Sequence, residues 1–324
     1  MDLVEEAERM KKLWPTLVLV LVCAAGFWYG RANGWFASQK QEEAAKPLFT
    51  IASGDITGAT LTKGGEGIEL SKEGASWTMK QPAAYPLNTY RPGAWVSSFS
   101  QLSYVSIVED TAADIAPYGL DKPTAQYAVK LADGTTYKLL VGNPLPITGS
   151  SYVQIAGAPA VYEVSDTELK NLDVTPLELV DTRAVKAEYN DVQTVDLTWK
   201  GKSWLLAKQE LEKTAYESTW KLDDKDLTAP EGAGILDKLM TLYTDVLPVP
   251  VKEGELSAPE LTVKLGEQRD GKKSETLLFG KVSGELVTLH EQGSPWGYTV
   301  GLDKIQGLYD FGKAGGKTES TPAQ

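Results

Sequence analysis

The chain has 324 residues, 42% hydrophobic and 23% charged, the composition of a globular protein with a sizeable core and room for two ordinary domains. A net charge of −12 argues against nucleic acid, because phosphate binding needs a cationic surface that releases counterions. With one cysteine, Cys23, and one histidine, His290, the chain can form no internal disulfide and holds too few thiolates and imidazoles for a structural zinc, while carboxylate sites for calcium or magnesium stay open.

In chain order, the first feature is an uncharged run over residues 13–30, "LWPTLVLVLVCAAGFWYG". As a helix it spans roughly 27 Å at about 1.5 Å per residue, enough to cross a hydrocarbon core. Trp14, Trp28 and Tyr29 stand at its ends, where aromatic rings favour the interface. Arg9, Lys11 and Lys12 precede it and Arg31 follows, so residues 1–12 read as cytoplasmic and the bulk of the chain as extracytoplasmic, on a single-pass anchor in the cell membrane. The bulky stretch after the run offers no A-x-A cleavage site, and Cys23 lies inside the run after Val22, where it reads as a small apolar residue facing lipid. Residues 37–47 are a polar stalk, and the tail over 312–324 has too little to bury and is expected to be disordered.

Between these ends the sequence repeats itself. "DITGATLTKGGEGIELSK" from Asp55 answers "DVQTVDLTWKGKSWLLAK" from Asp191 at a constant offset of 136, pairing Leu61 with Leu197, Leu70 with Leu206 and Lys72 with Lys208. The second copy then inserts "QELEKTAYEST" before Trp220, which answers Trp77. A helix follows in each: Trp95, Phe99 and Leu102, and later Ile235, Leu239 and Leu242, fall at the spacing of one buried face, with Pro92 and Pro230 near the starts. Each helix leads into a short apolar segment, "YVSIV" and "DVLPVPV", and Pro248 and Pro250 confine the second to a sheet edge or to no strand at all. Next come "YAVKLADGTTYKLLVG", with a hairpin expected at Asp133–Gly134, and "LTVKLGEQRDGKKSETLLFG", which reads as a looser form of the same turn. Finally Tyr162, Val164, Leu169 and Leu172 match Tyr298, Val300, Ile305 and Leu308. The expected fold is α+β: a transmembrane helix followed by two tandem, similar lobes with antiparallel sheets, residues 48–175 and 183–311, each reading β-β-β, helix, four or five short strands and a closing helix.

These residues carry a resemblance. "SWTMKQP", "YGLDKP", "DGTTYKLLVG" and "SSYVQIAGAPAVYEVSDTELKNL", in this order and spacing, resemble the bacterial domain of unknown function 4340 family over most of residues 48–311. Members are commonly encoded beside an ABC-transporter ATPase, its permease and a membrane protein like those of gliding-motility transporters. The resemblance therefore implies an extracytoplasmic accessory subunit whose partners are that permease and associated membrane proteins. It implies no catalytic residue and no cofactor.

The residues themselves offer little chemistry. There is no phosphate loop, no dinucleotide fingerprint and no nucleophile elbow; Gly293-Ser294-Pro295-Trp296-Gly297 has the glycines with serine misplaced. Ser218-Thr219-Trp220-Lys221 matches S-x-x-K, but on an expected strand its serine and lysine point to opposite faces. His290 could act as a base, yet the first copy has Ala156 there, and a surface or loop histidine is the plainer reading. Glu109, Asp110 and Asp114, and Asp223, Asp224 and Asp226, could in principle pair for glycoside hydrolysis; as caps and solvated turns they need no such role. The most idiosyncratic turn is "PYGLDKP", in which Gly119 can take a left-handed conformation. Tyr118, Gly119, Leu120, Asp121 and Lys122 are candidate partner-docking residues, and Trp296 joins them as the tryptophan expected to be exposed. The leading expectation is a non-enzymatic accessory or scaffold subunit without catalytic, cofactor or metal residues; the alternatives are a stand-alone envelope module binding glycan or another polymer and, behind it, an envelope hydrolase.

Overall fold

A computed structural model describes residues 28–29, 46–147, 149–252, 254 and 258–317. Trp28 and Tyr29 are helical; the rest of the expected anchor, and the stalk up to residue 45, lie outside the described residues. Among the described residues no helix is long and apolar enough to cross a membrane.

The chain enters at β1 (Lys46–Pro47) and runs into a meander of β2 (Ile56–Lys63), β3 (Glu66–Glu73) and β4 (Ser76–Gln81). Ile56, Ala59, Leu61, Ile68, Leu70 and Met79 point to the core. Gly64 and Gly65, with φ of 58° and 88°, close the first hairpin, a two-residue turn that needs positive φ at both positions. Helix α1 (Arg91–Ser100) follows, then β5 (Ser103–Tyr104), β6 (Ser106–Glu109), β7 (Ala125–Leu131), β8 (Thr136–Pro144), β9 (Ser150–Ile155), β10 (Val161–Ser165), α2 (Asp166–Lys170) and α3 (Pro176–Leu179). All strand pairs of the eight-stranded sheet are antiparallel, in the order β4-β3-β2-β7-β8-β9-β10-β6, while β1 pairs with β5. The face expected of α1 is buried: Trp95, Phe99 and the following Leu102 pack on the sheet, and Trp95 Nε1 donates to the Leu172 carbonyl at 2.9 Å. Each such side chain contributes roughly 1.5–3 kcal/mol by leaving water.

The second half runs β11 (Val192–Trp199), β12 (Lys202–Lys208), β13 (Trp220–Leu222), β14 (Lys225–Leu227), α4 (Ala229–Met240), β15 (Val249–Pro250), β16 (Leu261–Arg269), β17 (Lys272–Ser283), β18 (Leu286–Glu291), β19 (Trp296–Gly301) and α5 (Leu302–Lys313). Its nine strands are ordered β14-β13-β12-β11-β16-β17-β18-β19-β15, the succession of the first sheet with β14 added. Thr228 and Glu231 cap α4 reciprocally, and Ile235, Leu239 and Leu242 are buried as the spacing predicts. Each sheet has its own apolar core.

The connecting stretch 173–185 is packed rather than free. Thr175 and Glu178 form a capping box on α3, Leu179, Val180, Ala184 and Val185 are buried, and Asp181 N–H donates to the Pro86 carbonyl at 2.8 Å.

Two expectations need correction. The β16–β17 turn is tighter than its sequence suggested: the strands continue through "GEQR" and "KKSE" and close on Asp270–Gly271, with φ of 50° and 74°. Asp and Gly are the residues that accept positive φ in such a turn, so the extra length went into strand. The tail does not begin at residue 312. Helix α5 runs to Lys313, and Gly312 is buried so tightly that a Cβ there would meet the Trp204 ring at 2.5 Å.

Candidate functional site

The turn "PYGLDKP" precedes β7, and local chemistry shapes it. Asp114 Oδ1 accepts the Ala116 N–H at 3.0 Å, Ala116–Tyr118 make one 3₁₀ turn, and Gly119 ends it at φ 71°, the left-handed conformation its sequence predicts. The Tyr118 hydroxyl donates to Glu109 Oε2 at 2.6 Å and its ring meets Tyr152 edge-on at 5.0 Å. That hydrogen bond to a carboxylate pushes the Tyr118 phenol above its ordinary pKa. Leu120 is buried and holds the turn against β8 beside Gly142, so its side chain serves packing, whereas Asp121 and Lys122 are exposed.

Through Glu109 the turn is tied to β6, and β6 is the last strand of its sheet. One side of β6 pairs with β10, Ile107 opposite Tyr162 and Ser106 opposite Glu163, whose carboxylate also accepts the Ser106 hydroxyl at 2.8 Å. No strand among the described residues pairs with the other side. Val105, Ile107 and Val108 are 58%, 44% and 38% exposed, an apolar edge rimmed by Glu109, Asp110 and Asp114. Unpaired backbone groups beside β-branched side chains are a template for another strand, and proteins usually blunt such edges with lysine, proline or a covering loop. The other sheet does this: its corresponding edge, β15, carries Pro250, which has no N–H to donate.

Trp296 is not part of this surface. It begins β19 in the nine-stranded sheet, half-buried, with its ring 4.9 Å from Tyr85 of the first half. The pairing covers the indole, so the expected exposed tryptophan is a contact between the two halves. His290, on β18, has Nδ1 3.3 Å from the Trp296 carbonyl. Ser218 is fully buried, its hydroxyl donating to the Glu210 carboxylate at 2.8 Å and accepting the Glu210 N–H at 2.9 Å, and Trp220 stands in β13 as expected. Asp223 Oδ1 accepts the Leu205 N–H at 2.9 Å, a turn role. Among the described residues no cluster of three or more His, Cys, Asp and Glu could hold a metal ion.

Sequence reasoning reached the turn and missed the edge. "YVSIV" reads as a short apolar strand, and nothing in its pattern tells which side remains uncovered. The usable signal was comparative: the matching segment of the second copy has prolines where the first has none.

A family model described as Domain of unknown function (DUF4340) matches residues 77–242, which include the turn, β6 and the junction. No curated protein and no solved structure matches the chain.

Proposed function

Because the chain belongs to the domain of unknown function 4340 family, we propose that it is a non-enzymatic, extracytoplasmic accessory subunit of an ABC-type transport system that holds a membrane partner through β6. One observation carries the reading: of two corresponding sheet edges, β15 is guarded by proline and β6 is open and apolar. A segment of the partner adds as the next strand, its backbone meeting the free groups of β6 and its side chains meeting Val105, Ile107 and Val108. The turn at 118–122 borders the same edge through Tyr118 and Glu109, with Asp121 and Lys122 offered to the partner.

The place of the edge supports a membrane partner. β1 pairs with β5, one residue ahead of β6, so the open edge starts where the chain enters the fold from the anchor expected at 13–30. A permease with its associated membrane proteins is the partner class the family resemblance implies. We read the two sheets as copies of one duplicated unit, residues 48–175 and 183–311, in which one copy keeps its edge for binding and the other has closed it.

A wall-glycan module draws on exposed tryptophans along a groove. Trp77, Trp95, Trp199, Trp204, Trp220 and Trp296 are all buried or half-buried, which favours the protein partner.

The test is a gentle detergent pull-down of the full-length chain from its native membrane with mass spectrometry. Recovery of an ABC permease and its ATPase is expected; recovery of the chain alone sinks the reading and leaves the glycan module as successor.

A further inference from the structure

A second feature lies away from β6, and its test does not depend on the partner reading. A cavity of about 620 Å³ opens between the β2–β3 hairpin, the 173–176 turn and Leu247, a size in the range of small-molecule sites. Leu61 and Ile68 line it from the sheet, with Val174, Pro176 and Leu247 opposite, so most of its surface is apolar. Tyr127 also lines it. This residue is 4% exposed and its ring packs edge-on to Trp95 at 6.3 Å. Among the described residues the buried, unpartnered side-chain oxygens are those of Gln193 and Tyr298; Tyr127 instead borders the open cavity, where water or a ligand head can reach its hydroxyl.

The rim fixes the sign of that ligand. Lys63 is paired with Asp173 across the mouth, both half-exposed, and Glu66 adds a further carboxylate. One cation against two anions leaves an acidic rim that repels a carboxylate or phosphate head and attracts an amine. The exposed Lys63–Asp173 pair is of the weak kind, so Asp173 can turn to an incoming ammonium at little cost.

We propose that this cavity binds an amphiphile with an amine head, its apolar body against Leu61, Ile68 and Leu247, and its head between Asp173, Glu66 and the Tyr127 hydroxyl. Tyr127 accepts from or donates to the head, and no covalent step is involved.

Gly67 provides a clean way to fill the cavity. It lines the space, has no positive φ, and a Cβ on it would meet nothing nearer than the Leu61 carbonyl at 4.0 Å. The experiment treats membrane vesicles carrying the full-length chain with diazirine-bearing octylamine or the matched octanoic acid, followed by irradiation and peptide mapping. The amine is expected to label peptides spanning 61–68 and 173–176 about fivefold more than the acid, the size of one screened charge contact. Gly67→Leu should abolish that labelling with the melting temperature and partner recovery unchanged, and Tyr127→Phe should weaken it several-fold. Equal labelling by amine and acid, or labelling unchanged in both variants, overturns the proposal whether or not the pull-down recovers a partner.

Discussion

Gly142 lies on β8 where the Tyr118 carbonyl passes over it, and a Cβ at that position would sit 2.1 Å from the carbonyl oxygen and 3.2 Å from the Leu120 side chain. The oxygen belongs to the backbone and cannot swing away, so any larger residue must lift the whole turn. Gly142→Ala is therefore expected to lose about 1–3 kcal/mol, as overpacked sites do, seen as a lower midpoint in thermal or denaturant unfolding of the full-length chain. An alanine variant as stable as the parent would mean that the turn is not seated on β8. The two glycines of this contact differ in how they could be read. Gly119 sits inside "PYGLDKP", where its left-handed conformation follows from local turn chemistry. Gly142 ends "KLLVG" for a tertiary reason, the crossing of a segment more than twenty residues earlier, which no local pattern reports. Leu120 and Trp296 failed as surface residues for the same cause: what covers a side chain is decided by elements distant in sequence.

At the scale of elements, periodicity was a good guide wherever one face alone is buried. The helix faces of α1 and α4 stand where the spacing places them, β7 and β8 turn at Asp133–Gly134 through a loop longer than the two residues the pair signals, and of the two readings the prolines of "LPVPV" allowed, edge or no strand, β15 takes the edge. The short β6 was legible as a strand, but its open side was not, because a four-residue apolar run looks alike in a sheet centre and at a rim. That open side also makes β6 separable from the fold. Ile107 is 44% exposed, so Ile107→Lys should leave stability within about 0.5 kcal/mol. A lysine on the edge nevertheless blocks strand addition, and recovery of the membrane partner should fall to background. If partner recovery is untouched while the lysine variant melts normally, β6 is not the contact.

For the whole molecule, the paired positions read from the sequence fall on strands of the same place in the two sheets: Leu61 and Leu197, Leu70 and Leu206, Tyr162 and Tyr298. The departures between copies could not be weighed without the fold. The insertion before Trp220 precedes β13, the counterpart of β4, to which the second sheet adds β14, and prolines stand on one edge and not the other. The cavity by Tyr127 was equally out of reach, since Leu61, Asp173 and Leu247 meet only after folding. The central claim is that the unguarded edge is where this family member grips a membrane partner. Its most direct measurement places a photo-crosslinking amino acid at Val108 of the full-length chain in native membranes, with Leu286, also exposed but in the other sheet, as control. The account predicts a crosslink from 108 to an ABC-type permease or its associated membrane protein and none from 286. Crosslinks from both positions to the same unrelated proteins, or from neither, would contradict it.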